Sequence, residues 1–129
     1  MKSTELMIGD WVYIPHNGKA PHYGKVTALL PSGAIETEIN GSFALSSSVE
    51  PIPLTREILE KNGFSFPKWE SWWRVVDCNP TIYLAEHNES WWLYQDDYLD
   101  SRQYFAKIKY VHELQHAFRL CGIEKEITI

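Results

Sequence analysis

Apolar and polar residues alternate along three stretches between residues 70 and 95, a pattern typical of strands whose two faces meet different environments. The stretches are residues 70–76 (ESWWRVV), 81–86 (TIYLAE) and 90–95 (SWWLYQ), and turn-forming residues separate them. Because successive side chains of a strand point to opposite faces, the apolar positions collect on one side of the predicted meander. These inner-face residues are Trp73, Val75, Ile82, Leu84, Trp91 and Leu93.

The first 50 residues contain shorter β-prone runs that are broken by strong turn signals. The runs are residues 8–14 (IGDWVYI), 24–30 (GKVTALL), 34–39 (AIETEI) and 42–45 (SFAL). The dipeptide Asn40-Gly41 before the last run is a typical hairpin turn, because both residues tolerate positive φ. Four or five short strands in so short a segment predict a small barrel similar to SH3-like folds.

Helical patterns appear in two places after this segment. Residues 49–55 (VEPIPLT) predict a stiff, proline-containing joint, and Thr55 and Gly63 are good start and stop signals for a helix over residues 55–62. Near the C-terminus, apolar residues recur at steps of three and four, which predicts a helix over residues 108–121 that ends at Gly122. The apolar stripe consists of Tyr104, Ile108, Val111, Leu114, Phe118 and Cys121. The opposite, polar flank is expected to face solvent and consists of Lys109, His112, His116 and Arg119.

These elements together predict an α+β protein with two parts. Residues 1–50 are expected to form an SH3-like small β-barrel. Residues 51–129 are expected to form an antiparallel β-meander, over residues 70–95, that is packed by the two helices.

Composition and charge narrow the classes of function. The chain is 44% hydrophobic and 22% charged, without an apolar run of bilayer-spanning length, as in soluble folded proteins. Its first residues lack the apolar core of a signal peptide, so we expect a cytoplasmic protein. Cys78 and Cys121 lack metal-ligand spacing and are expected to stay reduced. No phosphate-binding glycine loop or serine-centred elbow appears, so we expect neither a catalytic residue nor a cofactor.

The outer face of the meander is the best candidate contact surface. Aromatic residues make up 14% of the chain, including six Trp, and this face combines several of them with an arginine. Aromatic and arginine side chains are enriched where proteins bind other proteins most strongly. The candidate binding residues are Trp72, Arg74, Tyr83, Trp92 and Tyr94. We therefore expect a protein partner here, and the alternative is that another part of the chain covers this face.

A second candidate chemistry comes from residues 112–116 (HELQH), which match the zinc-protease pattern H-E-x-x-H. His112 and His116 would be metal ligands and Glu113 the general base of a zinc-dependent hydrolase. Such a site needs a third ligand, and the sequence does not select one. The possibilities are His87, Asp97, Glu124 and Glu126, of which the last two lie in a predicted short terminal strand. We favour a structural role for these histidines.

A nucleic-acid-associated module is the remaining alternative. It would use the aromatic face or the basic loop region of the predicted barrel, which contains His16, Lys19, His22 and Lys25. A formal net charge of −5 argues against broad binding to a phosphate backbone, because such binding needs clustered basic residues.

Three stretches resemble a family of small uncharacterised proteins that are common in gut-bacterial genomes, phages and mobile elements. The stretches are residues 5–12 (ELMIGDWV), 50–64 (EPIPLTREILEKNGF) and 108–115 (IKYVHELQ). The resemblance implies an accessory protein encoded by a phage or mobile element, but no particular activity. The family's usual string at the last stretch is similar to Tyr-Val-His-Gln-Leu-Gln-Asn, from which Glu113 and His116 depart. The resemblance thus implies a structural role for this helix.

Overall fold

The chain divides into two compact units, an N-terminal unit (Met1–Pro53) and a C-terminal unit (Leu54–Ile129). The fold is that of a computed structural model, which describes residues 5–15, 22–39, 42–46, 48–66, 72–75, 81–96 and 102–129. Within these residues, each unit contains a four-stranded antiparallel sheet, and both helices belong to the C-terminal unit. The predicted α+β class is therefore confirmed. No helix among the described residues is long and apolar enough to cross a membrane.

The N-terminal sheet is a simple meander of neighbouring strands. Its strands are β1 (Trp11–Ile14), β2 (His22–Leu29), β3 (Ile35–Ile39) and β4 (Ser42–Ser46), paired in that order. The turn between β2 and β3 contains Gly33 at φ +88°, a conformation that favours glycine. Val12 and Ile14 alternate along β1 as period-2 burial requires, and they form a core with Val26 and Ile35 of the neighbouring strands and with Leu6 and Val49 outside the strands. The predicted hairpin turn at Asn40-Gly41 lies outside the described residues.

The chain returns to the outer edge of β1 just after β4. The backbone amide of Tyr13 donates to the carbonyl of Glu50 at 2.9 Å, and the amide of Glu50 donates back to Tyr13 at 2.8 Å. This antiparallel bridge satisfies edge groups of β1 that would otherwise face solvent.

The C-terminal unit begins with the short helix α1 (Arg56–Lys61). As predicted, Thr55 caps its N-terminus, because Thr55 Oγ1 accepts a hydrogen bond from the amide of Ile58 at 3.3 Å. Gly63, at φ +85°, follows its C-terminus. A helix this short is not stable alone, and its fully buried residue Leu59 anchors it to the unit.

The second sheet has one strand more than the sequence predicted. It consists of β5 (Trp73–Val75), β6 (Ile82–His87), β7 (Ser90–Asp96) and β8 (Arg102–Ile108), in that order. The predicted C-terminal helix over residues 108–121 began too early, since helix α2 begins only at Val111 and ends at Leu120. Tyr104 and Ile108 fit a helical stripe by their spacing of four, but they pair with β7 instead.

The inner face of this sheet is the core of the C-terminal unit. All six predicted inner-face residues are buried, with exposed fractions of 7% or less. Trp91 also buries its indole N–H in a hydrogen bond, donated to the carbonyl of Leu54 at 3.0 Å. Further buried residues come from α2 and the segment after it, and they include Val111, Leu114, Phe118, Ile123 and Ile127.

Residues after α2 are held by side-chain hydrogen bonds rather than by strand pairing. The predicted short terminal strand is wrong, since residues 123–129 adopt no strand. Instead, Asn62 donates its amide to the carbonyl of Thr128 at 2.7 Å and accepts from the amide of Thr128 at 2.7 Å. Its amide also donates to the carbonyl of Ile58. One buried asparagine therefore ties the C-terminal segment to the end of α1.

The polar flank of α2 is not fully exposed as the sequence predicted. His112 is only 6% exposed and Gln115 only 8%, whereas Lys109 and Arg119 face solvent. Helical periodicity distinguishes a more polar from a less polar side, but the surroundings of each side depend on the tertiary structure.

Candidate contact surface on the outer face of the second sheet

The structure brings the predicted binding residues together on the outer face of the second sheet. Strand pairing aligns Arg74 with Tyr83 and Tyr83 with Tyr94, in one row across β5, β6 and β7. Trp92 lies two residues from Tyr94 on the same strand face, opposite Ala85. Trp72, just before β5, reaches Tyr94 with ring centroids 4.8 Å apart.

Five rings on this face form a continuous set of contacts, which we call the outer aromatic cluster. Its members are Trp72, His87, Trp92, Tyr94 and Tyr104. The ring centroids are 5.7 Å apart for Tyr94 and Tyr104, and 5.9 Å apart for Trp92 and Tyr104. His87 lies 5.0 Å from Trp92. The pairs among Trp72, Tyr94, Tyr104 and Trp92 meet edge to face, the favoured arrangement of aromatic quadrupoles.

Exposure separates residues that a partner can contact from those that support them. Tyr104 is 57% exposed and Trp92 is 36% exposed, whereas Trp72, Arg74 and Tyr94 are half-buried. Tyr83 was predicted as a contact residue but is buried, at 7%. Its place in the middle of the row makes it a support for its neighbours.

Sequence reasoning missed Tyr104 and His87 on this face. The helical spacing predicted that Tyr104 is buried, but it is 57% exposed. Lys107 is exposed and lies directly opposite Trp92. The β-prone residues of 102–108 (RQYFAKI) were the available signal.

The described side chains of the outer face include two charged ones. Among outer-face residues whose side chains the structure describes, the charged ones are Arg74 and Lys107, and both are basic. The chain as a whole carries a formal net charge of −5.

The HELQH segment is placed at the start of α2, where its glutamate has a capping role. Glu113 Oε1 accepts hydrogen bonds from the backbone amides of Lys109 and Tyr110, each at 3.0 Å. These bonds satisfy donors next to the first turn of the helix, as in one half of a capping box. The carboxylate is thus held against the backbone rather than presented to a substrate.

The two histidines of this segment pack against aromatic rings. The ring of His112 is nearly parallel to that of Tyr110, at a centroid distance of 5.8 Å, and lies 5.5 Å from the ring of His116. Throughout the part of the chain that the structure describes, no group of three or more His, Cys, Asp or Glu side chains could hold a metal ion. The donor set that a catalytic zinc would require is therefore not assembled from these residues.

The predicted basic loop region of the N-terminal unit can be located only in part. His16 and Lys19 lie outside the described residues. His22 begins β2 and is half-buried, while the Lys25 ammonium lies over the ring of Trp11 at 5.2 Å from its centroid. Lys25 is thus used in a cation–π contact within the sheet.

A cavity of about 420 Å³ opens elsewhere in the C-terminal unit, beside α1. It is lined by Arg56, Phe66, Trp73, Glu86 and Asn88, and an exposed ion pair joins Arg56 Nε to Glu86 Oε2 at 2.9 Å. At the end of α2, burial raises the pKa of the Cys121 thiol. Among the residues that the structure describes, neither feature brings together a nucleophile and a base.

No family model, curated protein or solved structure matches this chain, so its function has to be argued from its own geometry.

Proposed function

We propose that this chain is a non-catalytic accessory protein of a phage or mobile element, and that it binds a protein partner in the cytoplasm through the outer aromatic cluster. The observation that carries the proposal is the continuous set of ring contacts that ends in the exposed Trp92 and Tyr104. Large aromatic side chains lose little conformational entropy on binding and contribute much contact area. Their mutual packing also holds them in place before a partner arrives.

The geometry of the rings favours a protein over a nucleic acid. Binding of single-stranded nucleic acid requires exposed ring faces on which bases stack. In the outer aromatic cluster, Trp72 and Tyr94 meet at an interplanar angle of 87°, and Tyr104 meets both Tyr94 and Trp92 at 71°. In each pair, the edge of one ring covers part of the face of the other. Such a rugged apolar surface suits interdigitating side chains better than flat bases.

We further propose that the N-terminal unit is an SH3-like barrel. The support is the bridge between Tyr13 and Glu50, which brings the chain after β4 back to the free edge of β1. Closure of this kind is how small antiparallel barrels remove an exposed edge. The fold alone assigns no activity to this unit.

The proposal is tested by affinity capture from a bacterial lysate with the wild-type chain and with the double variant Trp72→Ala/Trp92→Ala. We expect the double variant to lose a protein that the wild type captures. The matched control is Tyr23→Ala/Leu120→Ala, which removes two exposed apolar side chains elsewhere and should retain that protein. A folded double variant that keeps every captured partner would rule out the outer aromatic cluster as the contact surface.

The capture experiment also distinguishes protein binding from nucleic-acid binding. If the chain binds a protein directly, nuclease treatment of the lysate should not change which proteins are captured. Salt-sensitive retention on single-stranded DNA or RNA, lost in the double variant, would assign the surface to nucleic acid instead.

A further inference from the structure

Three Asn-Gly dipeptides occur in the chain, and Asn62-Gly63 is the one that lies within the described residues. Spontaneous deamidation is fastest at such dipeptides, because glycine has no side chain to hinder attack by its backbone nitrogen. That nitrogen bonds to Cγ of the asparagine, ammonia leaves, and a five-membered succinimide ring forms. Water then opens the ring to aspartate or isoaspartate. Asn62-Gly63 is therefore a chemically reactive sequence, and its reactivity depends on its conformation.

The backbone conformation of Asn62 holds the two reacting atoms apart. The ring can close only when the nitrogen of Gly63 eclipses Cβ of Asn62 about the Cα–C bond. Asn62 has ψ 15°, so the nitrogen of Gly63 nearly eclipses the backbone nitrogen of Asn62 instead, and Cβ points elsewhere. The amide of Gly63 also donates to the carbonyl of Glu60 at 3.2 Å, which retains the proton that has to leave before attack. Deamidation thus requires this turn to open.

The side chain of Asn62 is fixed as well, mainly by the C-terminal segment, residues 123–129. Asn62 is only 6% exposed. Its Nδ2 donates to the carbonyls of Ile58 and Thr128, and its Oδ1 accepts from the amide of Thr128, each at 2.7 Å. Two of these three bonds are made to Thr128. The side chain can therefore rotate towards Gly63 only when the C-terminal segment leaves.

The product of deamidation does not fit the place that Asn62 occupies. An ionised carboxylate only accepts hydrogen bonds, so it would direct a charged oxygen at the carbonyls of Ile58 and Thr128. Isoaspartate would in addition lengthen the backbone by one carbon atom just after α1. Because hydrolysis of the ring does not restore the amide, the tie between Asn62 and the C-terminal segment would be lost permanently.

We propose that Asn62-Gly63 is a deamidation site that the C-terminal segment protects. When this segment opens, Asn62 is converted irreversibly to aspartate or isoaspartate, and the segment can no longer dock in the same way. Two buried side chains of the segment, Ile123 and Ile127, are then held less firmly against the unit. The inference goes beyond the proposed protein binding and does not depend on the outer aromatic cluster.

The first test compares deamidation of the full chain with that of a peptide of residues 58–67 (ILEKNGFSFP) in the same buffer at pH 8. The peptide is too short to keep a stable helix, so it reports the intrinsic reactivity of the dipeptide. Mass spectrometry of proteolytic fragments follows the conversion. We expect Asn62 of the folded chain to react at least about tenfold more slowly, because it reacts only from the locally open state. Equal rates would overturn the proposal.

Two matched variants test whether the C-terminal segment gives the protection. Ile127 lies in this segment and Ile35 in the N-terminal unit, and both are 2% exposed. Ile127→Ala should accelerate deamidation of Asn62 by about tenfold or more, since lost packing increases the open population. Ile35→Ala should leave the rate unchanged.

The milder variant Ile127→Val keeps the test valid if Ile127→Ala does not fold, and it should give a smaller acceleration. Wild-type rates in both variants at Ile127 would show that the segment does not protect the site. Equal acceleration by Ile35→Ala and Ile127→Ala would assign deamidation to unfolding of the whole chain. Either result would overturn the proposal.

The consequence of deamidation is tested with Asn62→Asp, which has the side chain of the aspartate product. Backbone amides of residues 123–129 should exchange hydrogen at least about tenfold faster in this variant, because the segment opens more often. The control is Asn88→Asp, which makes the same change of charge in an exposed turn and should leave these amides unchanged. If exchange in Asn62→Asp equals that of the wild type, deamidation does not release the segment and the proposal is wrong.

Discussion

Tyr94 and Tyr104 lie directly opposite each other on β7 and β8, and their rings meet edge to face with centroids 5.7 Å apart. This pair joins two halves of the outer aromatic cluster, because Tyr94 contacts Trp72 and Tyr104 contacts Trp92. Strand β8 therefore completes the proposed contact surface as well as the sheet.

The neighbouring tryptophans of β7 should differ sharply in their effect on stability. Trp91 is buried and donates to the carbonyl of Leu54, so Trp91→Ala should reduce the free energy of unfolding by about 3–5 kcal/mol. Trp92 is 36% exposed, and Trp92→Ala should cost about 1 kcal/mol. Urea unfolding followed by circular dichroism checks both values. Equal losses for the two variants would contradict the assignment of the inner and outer faces.

Asn62 should contribute strongly to stability, although it is polar. Asn62→Ala removes hydrogen bonds at both ends of its amide and leaves the backbone N–H and C=O of Thr128 without this partner, at a cost of about 2–3 kcal/mol, while the carbonyl of Ile58 keeps the bond from the backbone amide of residue 62. Glu60→Ala, on the exposed side of the same helix, should change stability by less than about 0.5 kcal/mol. Thermal unfolding compares the two variants. Hydrogen exchange at the Thr128 amide should accelerate only in the asparagine variant, and unchanged exchange there would refute the proposed tie.

Glu113 should behave as a helix cap. Glu113→Ala should lower the free energy of unfolding by about 1 kcal/mol, because two backbone amides lose their acceptor. Glu113→Gln keeps an acceptor oxygen and should lose less. Protein purified without a His tag should contain less than about one-tenth equivalent of zinc, and a chelator should not change its unfolding midpoint. A midpoint that falls with the chelator would instead indicate a bound metal.

The turn between β6 and β7 should tolerate glycine well. Asn88 and Glu89 both have positive φ, at 45° and 63°. Asparagine adopts this conformation readily, but glutamate does not, so Glu89→Gly should stabilise the protein by about 0.5–1 kcal/mol. Asn88→Gly should have the smaller effect in the same thermal unfolding experiment. If Glu89→Gly destabilises the protein, side-chain contacts of Glu89 outweigh its backbone strain.

The thiol of Cys121 should react slowly with alkylating agents. Burial raises its pKa, so at pH 8 a smaller fraction is thiolate than in a free cysteine, and thiolate is the reactive form. In a Cys78→Ser background, iodoacetamide should modify the folded chain more slowly than the chain unfolded in urea. The modification rate of the folded chain should reach half of its maximum at a higher pH than the modification rate of the unfolded chain. An equal or lower midpoint in the folded chain would contradict this prediction.

Local patterns in the sequence were sufficient for several elements. Alternation along residues 70–95 identified the buried face of β5, β6 and β7, because period-2 burial is a property of each strand alone. Thr55 as an N-cap was also predicted, since its side chain bonds to an amide three residues away. These features depend on residues that are close together in the chain.

The amino-acid sequence by itself therefore determined the α+β class, the capped helix α1 and the inner face of the second sheet. Only the tertiary structure decided that residues 102–108 form a strand, that Tyr104 belongs to the outer aromatic cluster, and that His112 is buried. A spacing of four fits a helix, but pairing with β7 gives Tyr104 and Ile108 partners that no local pattern reveals. Strand pairing and burial depend on contacts between residues that are far apart in the sequence, and these contacts form only when the chain has folded.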